Sequence, residues 1–353
     1  PILEKVIQGL SITSILFSKP AEPYQTIISY LARTSQGVIY PEDCETRTFL
    51  HDLPISRTLD PVQIVSILKK RKGVIIPDSG LITYGMVSLE QAYVTFSSIC
   101  FACFVKFFSD YLGALRNGFV DHGFQKAFDQ VVKMLDPYPP FNGYLIKGPL
   151  DSERLALEAM DEAGRLTVEN RLVDSYFGNI SCRLGNTLYI SQTGSSLDNL
   201  IGCIDPVPMD GSSCTGITAS SELDAHLGII RETGCNTILH GHPRFSVILS
   251  MDCDKECCDQ RGRCHIKCSE KRSVCGIPVV PGEVGTGVYG LCNTVPEAIR
   301  DHDGVIVYGH GLFTIGREDF NKPFSNLFNI EKNCREEYFR RVSDLLTGSR
   351  FAV

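Results

Sequence analysis

Three histidines define the chemistry this chain can attempt. In Thr237-Ile238-Leu239-His240-Gly241-His242-Pro243 two imidazoles stand two residues apart in an apolar stretch. Along a strand, residues i and i+2 share a face, so both can point at one metal ion. Two histidines satisfied by core hydrogen bonds would be the better account if that pair stood alone. It does not: Gly304-Val305-Ile306-Val307-Tyr308-Gly309-His310-Gly311 is a second apolar strand, ending in a histidine between glycines that let the backbone crowd an ion or a substrate. Three neutral nitrogen ligands with one position left open is the pattern of catalytic zinc.

A chain of 353 residues has room for two domains or one large one, with ample core in either case. Hydrophobic residues at 43% and charged residues at 21% describe an ordinary globular protein, and a net charge of −7 argues against a general nucleic-acid binder. An anionic substrate must then be held by local donors. No start resembles a signal peptide, and no apolar run is expected to reach membrane-spanning length. The nearest, Val94 to Phe108, is interrupted by Ser97, Ser98 and Lys106 and reads as a buried helix. Fifteen cysteines without an export signal imply a reducing cytoplasm, where disulfides are the less expected use for them.

The elements that must position the histidines can be read in order. Leu3 to Phe17 and Tyr24 to Arg33 read as helices, and Pro61 to Lys70 as a short amphipathic one. Gly73 to Gly85 reads strand, turn, strand. Aligned with Gly304 to Gly316 it matches at Gly73, Val74, Ile75, Gly80, Leu81, Thr83 and Gly85, and each copy runs into a long helix, Leu89 to Leu112 and Phe320 to Leu346. An internal duplication is the simplest account. Ser79 stands where the second copy has His310, so the first copy has the scaffold of a metal site without its ligands. A boundary is expected near Asn117 to His122, giving domains at 1–118 and 119–353, and the proline-rich segment from Pro137 to Gly143 reads as a rigid connector. Beyond it, Ser152 to Val168 reads as a helix with Ser152 as N-cap. Gly178 to Leu184 and Leu188 to Ser191 read as a hairpin across Gly185-Asn186, and Ser220-Ser221-Glu222 opens a helix whose free N–H groups suit an anion.

Taken together, Gly178-Asn179-Ile180-Ser181, Thr193-Gly194, Ser220-Ser221-Glu222, His240-Gly241-His242 and His310-Gly311 resemble, in order, the motifs of the class II aldolase/adducin family. The resemblance covers roughly Ser152 to Leu346; the first part resembles only the family's C-terminal portion, in degenerate form. It implies a three-layer α/β/α sandwich on a central, largely antiparallel sheet, with a smaller degenerate N-terminal α/β domain, and a homo-oligomer, tetrameric in most of the family. It also implies a divalent transition metal, zinc first and manganese, iron or cobalt after it, held by His240, His242 and His310, with Glu222 as proton-moving base and as a further ligand when substrate is absent. Asn179, Thr193, Gly194, Ser220 and Ser221 would hold the phosphate of a dihydroxyacetone-phosphate unit, the metal polarising the ketose carbonyl and stabilising an enediolate. His226, one turn beyond Glu222, is a supporting candidate. The implied activity is a lyase that makes or breaks a carbon–carbon bond in a small phosphorylated ketose, with no nucleic-acid or membrane partner.

Two departures stand out. In the family's sugar-phosphate aldolases a tyrosine from a neighbouring subunit serves as acid, but here Gly282 falls at that position; Tyr289 is near in sequence at the wrong spacing. Related epimerase, dehydratase and decarboxylase reactions therefore stay open, as does an adducin-like scaffold, although a scaffold has no reason to retain His240, His242, His310 and Glu222 together. The second departure is an insertion at 252–276 with six cysteines. Cys253, Cys257, Cys264 and Cys268 are the first choice for a structural zinc or an iron–sulfur cluster, against a flexible loop that binds nothing.

Overall fold

The structure is a computed structural model that describes residues 2–138, 141, 143–174, 176–255, 257–282 and 287–348. It divides into two compact units, Pro1–Pro137 with Arg341–Val353, and Tyr138–Arg340. Three residues of the expected connector, Pro139, Pro140 and Asn142, lie outside the described residues.

The first unit runs α1 (Ile2–Leu10), β1 (Ser14–Ser18), α2 (Tyr24–Thr34), β2 (Val38–Ile39), α3 (Cys44–Leu50), β3 (Leu53–Pro54), α4 (Pro61–Leu68), β4 (Gly73–Ile76), β5 (Gly80–Gly85), α5 (Leu89–Arg116) and α6 (His122–Lys133). The sequence reading of one helix from Leu3 to Phe17 is corrected. Ser11 turns into the left-handed region at φ 55, ending α1, and Ser-Ile-Leu-Phe-Ser then pairs antiparallel with β5. Helix α5 is longer than the run read from the sequence. By length and hydropathy it could span a membrane, which corrects the expectation that no run reaches that length, but 67% of its most apolar window is buried inside the protein. Phe107, Phe108 and Tyr111 of α5 pack edge-on or stacked against Phe124 and Phe128 of α6, so α6 belongs with this unit.

The second unit runs α7 (Glu153–Glu169), β6 (Asn179–Leu184), β7 (Thr187–Ser191), β8 (Ile204–Pro208), α8 (Leu223–Thr233), β9 (Thr237–Gly241), α9 (Arg244–Met251), β10 (Arg272–Val274), β11 (Ile277–Val280), α10 (Leu291–Ile299), β12 (Gly304–Val307), β13 (Gly311–Gly316) and α11 (Asn321–Gly348), the last belonging to this unit through Arg340. Its eight strands form one sheet in the order β10-β11-β12-β13-β9-β6-β7-β8, antiparallel throughout except for β11 beside β12. On one face, Ala225, Ile229 and Ile230 of α8 and Val295 and Ile299 of α10 close a core with Ile238, Val305, Val307 and Phe313. On the other face Leu327 and Ile330 of α11 pack at Gly241 and Gly304. The result is the α/β/α sandwich on a largely antiparallel sheet that the resemblance implies.

The hairpin repeat read from the sequence recurs in the pairing. Gly73↔Thr83 through Ile76↔Gly80 in β4–β5 match Gly304↔Thr314 through Val307↔Gly311 in β12–β13. Thr83 Oγ1 donates to Ala92 O at 2.8 Å, and Thr314 Oγ1 donates to Pro323 O at 2.9 Å. The agreement extends one strand further than sequence identity does. β1 meets β5 with Ser14 opposite Gly85, β9 meets β13 with Thr237 opposite Gly316, and the two hydroxyls bond Ser88 O and Asp319 O respectively. In this register Phe17 stands for His240, Lys19 for His242 and Ser79 for His310.

Candidate metal centre

β9 lies inside the sheet between β13 and β6, with Phe313 and Asn179 directly opposite His240 on the two sides. Cross-strand partners share a face, so one row across three strands carries an amide, an imidazole and an aromatic ring. Phe313 stacks on His240 with ring centroids 3.9 Å apart, and Phe177 stacks on His242 at 5.3 Å. His242 follows β9 just before α9, and His310 sits in the turn between β12 and β13, entered through Gly309 at φ 58. A Cβ on Gly311 would lie 2.5 Å from Gly241 O and 2.6 Å from His240 Cε1, so only glycine lets the two strands close at this point.

His240, His242 and His310 place their ligand nitrogens within 4.8 Å of one another, all buried, the group among the described residues suited to hold an ion. His240 Nε2 and His242 Nε2 are 3.0 Å apart. His240 Nδ1 lies 3.1 Å from Leu312 O, and a carbonyl only accepts, so that nitrogen carries the hydrogen and Nε2 presents its lone pair. Glu222, at the N-cap of α8, turns one carboxylate oxygen to His310 Nε2 at 2.8 Å and the other to His240 Nε2 at 3.3 Å. Three imidazoles and a carboxylate fit a divalent transition metal; this donor set would hold it and supply a Lewis acid beside a carboxylate.

Behind Glu222 the hydrogen-bond directions are fixed by elimination. A carboxylate only accepts, so Asn179 Nδ2 donates to Glu222 Oε2 at 2.7 Å, Asn179 Oδ1 must accept from His226 Nε2 at 2.5 Å, and His226 Nδ1 accepts from Ser181 Oγ at 2.7 Å. His226 is thus a neutral imidazole that sets the Asn179 amide. Burial pushes its pKa down to about 3, the Glu222 charge opposing. Burial likewise lowers His240 to about 4, and takes His242 well below the ordinary histidine value with the help of His240 and His310. Burial tends to raise the Glu222 carboxyl, yet His240, His310 and the Asn179 amide outweigh it and hold it well below the usual carboxylate range. Neutral His240 and His242 beside an ionised Glu222 are protonation states that suit metal binding.

Of the residues assigned to phosphate, Thr193, Gly194 and Ser221 are exposed and Ser220 is buried. The bridge Gln192↔Ala219 brings their two segments side by side. Thr193 Oγ1 donates to Ala219 O at 2.9 Å, and Ser220 Oγ accepts from Glu222 N at 3.3 Å, capping the helix entry. Asn179 belongs to the Glu222 network. The α7 N-cap position is Ser152 as read, but its side chain makes no cap hydrogen bond. A Cβ on Gly282 would lie 3.0 Å from Leu291 Cβ and 3.1 Å from Val307 Cγ1, so a side chain there would need its neighbours to give by a few tenths of an ångström. Cys253, Cys257, Cys264 and Cys268 are free thiols outside the histidine group. A surface depression lined by Arg300, His302, Arg317 and Lys322 opens at the opposite end of β9 and β13 and contains none of the assigned residues.

Sequence reasoning missed Glu331. This buried acid of α11 accepts from Phe245 N and Ser246 N at 2.8 Å each, from Ser246 Oγ at 2.7 Å and from Tyr138 OH at 2.7 Å, and so caps α9 three residues after His242. A single acid on the apolar stripe of α11 was the available signal.

Residues 158–338 match the family of the class II aldolase and adducin N-terminal domain, and the chain belongs to that family. Among curated relatives, an L-fuculose phosphate aldolase of Methanococcus maripaludis is 28% identical over 158 residues, 43% of this chain and 80% of its own length. Among solved structures, the L-fuculose-1-phosphate aldolase of Thermus thermophilus is 23% identical with a TM-score of 0.41, covering 52% of this chain and 93% of the other. A sugar-phosphate aldolase of Thermotoga maritima is 19% identical with a TM-score of 0.40, covering 54% and 96%.

Proposed function

We propose that the second unit is a metal-dependent lyase that makes or breaks a carbon–carbon bond in a small phosphorylated ketose. The observation that carries this reading is the Glu222 carboxylate, buried within reach of two of the three metal-competent histidines and fixed by Asn179. A metal held by His240, His242 and His310, zinc by donor type, would polarise the substrate carbonyl. Glu222 would exchange its place beside the metal for the role of base, taking the proton that appears when the enediolate forms. The exposed Thr193-Gly194 and Ser221 segment, adjoining Ser220 and Glu222, would receive the phosphate on hydroxyls and backbone N–H groups. Because residue 282 is a glycine and carries no acid, the acid comes from another residue, and the epimerase, dehydratase and decarboxylase members of the same chemistry remain the second reading.

Incubating the zinc-loaded protein with a panel of phosphorylated ketoses and following aldehyde release tests this directly. Glu222→Gln should keep the metal and lose turnover by about 10²–10⁴-fold. Aldehyde release at the wild-type rate in that variant refutes the assigned base. Turnover of the panel without aldehyde would transfer the reading to the related reactions.

A further inference from the structure

Helix α9 begins just after His242 and reaches, near its other end, the turn that carries His310. Its first turn is fastened from two sides. Glu331 accepts from Phe245 N and Ser246 N at 2.8 Å each, and Arg244 pairs with Asp174 at 2.6 Å, both side chains largely buried. Its last turn carries the fully buried Ser250, whose hydroxyl donates to Val247 O at 2.6 Å and accepts from Gly309 N at 2.9 Å. The backbone N–H groups of the His310 turn can be followed one by one. Tyr308 N donates to Val280 O at 2.9 Å, His310 N donates to Val307 O at 3.1 Å, and Gly309 N goes to Ser250. The first bond ties the turn to the neighbouring strand, the second closes it, and the third crosses to a helix. In the matching turn of the first unit, Ser79 N donates to Ile76 O at 3.0 Å, and Asp78 holds φ 61 against 58 at Gly309. Asp78 N meets no side-chain hydroxyl among the described residues. This turn therefore closes without a serine behind it, and Ser250 belongs to the copy that has the histidine.

On the reading that His240, His242 and His310 hold one metal ion, we propose that Ser250 is a positioning residue of that centre, setting His310 through Gly309 at the separation from His242 that a shared ion needs. Both ligands are referred to the same eight-residue helix, His242 through the chain at its start and His310 through a hydrogen bond near its end. A ligand carried on a turn gains its precision from such support, because a rigid element behind it removes the freedom the turn itself leaves. Deleting the hydroxyl would leave Gly309 N buried and unpaired. The turn then gains by shifting towards another acceptor, and a shift there moves His310 away from His240 and Glu222.

The probe is zinc added to the metal-free full chain, its affinity read by chelator competition for the equivalent that is lost in His240→Ala/His242→Ala. Ser250→Ala should weaken that binding by about 10–100-fold. Ser250→Thr keeps the oxygen and should bind zinc almost as the wild type does. Ser250→Cys, close in size but a weaker acceptor, should fall between the two and carries the test if the alanine variant does not fold. Leu249→Ala, which truncates a buried side chain of the same helix, should lower Tm at least as much as Ser250→Ala and leave zinc affinity unchanged. Cobalt(II) in the histidine site gives a second reading, its ligand-field bands shifting in Ser250→Ala and not in Leu249→Ala. Wild-type zinc affinity in Ser250→Ala and Ser250→Cys, or an equal loss in Leu249→Ala, overturns the role of Ser250 and leaves the metal centre standing. A wild type that takes up no more zinc than the histidine variant refutes the centre itself, and the role of Ser250 with it.

Discussion

Gly311→Ala is a one-carbon perturbation aimed at the convergence of the metal ligands. The added Cβ would stand 2.5 Å from Gly241 O, 2.6 Å from His240 Cε1 and 3.1 Å from His242 Cδ2. The first obstacle is backbone in the middle of a sheet, and the second is a ring pinned by Phe313 and by Leu312 O, so neither can rotate away. β9 and β13 must separate by several tenths of an ångström or more at the point where His240, His242 and His310 meet. Overpacking of this kind costs about 1–3 kcal/mol. For a unit of this size that is a fall in Tm of roughly 2–12 °C. Metal affinity should fall with it, because spreading the strands pulls His240 from His310. The assay is thermal denaturation by circular dichroism with zinc content measured on the same preparation. Gly80→Ala is the control: its Cβ meets Ser18 O in a hairpin of identical register that carries no histidine, on a backbone at φ 128 that adds strain of its own, so it should destabilise the first unit at least as much and leave zinc content unchanged. An unchanged Tm and full zinc in Gly311→Ala would refute the argument that close strand approach assembles the site.

Two further outcomes follow from buried ionisable groups. His226 is held neutral, its pKa lowered to about 3 against about 6.5 in the unfolded chain. Its contribution is therefore complete above about pH 6.5 and lost as pH falls through the interval towards 3, at up to about 1.4 kcal/mol per pH unit. Urea midpoints of metal-free protein should fall between pH 7 and pH 5, about the upper part of that window, and fall less in His226→Asn; an identical pH loss in the variant would exclude His226 as a source. Glu331→Ala strips the acceptor from two backbone N–H groups, a serine and a tyrosine hydroxyl, and should cost about 3 kcal/mol or more, Glu331→Gln costing less, as read from denaturant unfolding.

What the sequence disclosed and what it hid divide along physical lines. His240, His242 and His310 were legible because a strand's period of two and a glycine-flanked turn constrain side-chain direction locally. Glu222 was reachable only through the order of motifs, since nothing in Ser220-Ser221-Glu222 says that the helix start hangs over the face of a strand eighteen residues on. The Asn179–His226–Ser181 chain was hidden for the same reason: its members come from β6 and α8, and their pairing depends on β6 lying beside β9 with Asn179 opposite His240. β1 was misread because Ile12 to Phe17 carries enough apolar residues to continue the preceding helical period. Only the pairing with β5, more than sixty residues away, makes it a strand.

That misreading matters for function, because β1 shows the same scaffold without the ligands. The scaffold is intact there: Thr83 and Ser14 make the hydrogen bonds of Thr314 and Thr237, and the turn residue Asp78 holds φ 61 where Gly309 holds 58. The fold thus does not need the metal, since a copy without ligands keeps the register. In the second unit the reverse holds. Four ionisable side chains, His240, His242, His310 and Glu222, are buried together where Phe17, Lys19 and Ser79 stand for the three histidines in the first unit. Grouping them costs desolvation that the scaffold does not require, and three imidazoles beside one carboxylate do not repay it by hydrogen bonding alone. An ion at their centre would, so a bound metal would account for grouping the histidines of the second unit, a need the side chains at the matching positions of the first do not have.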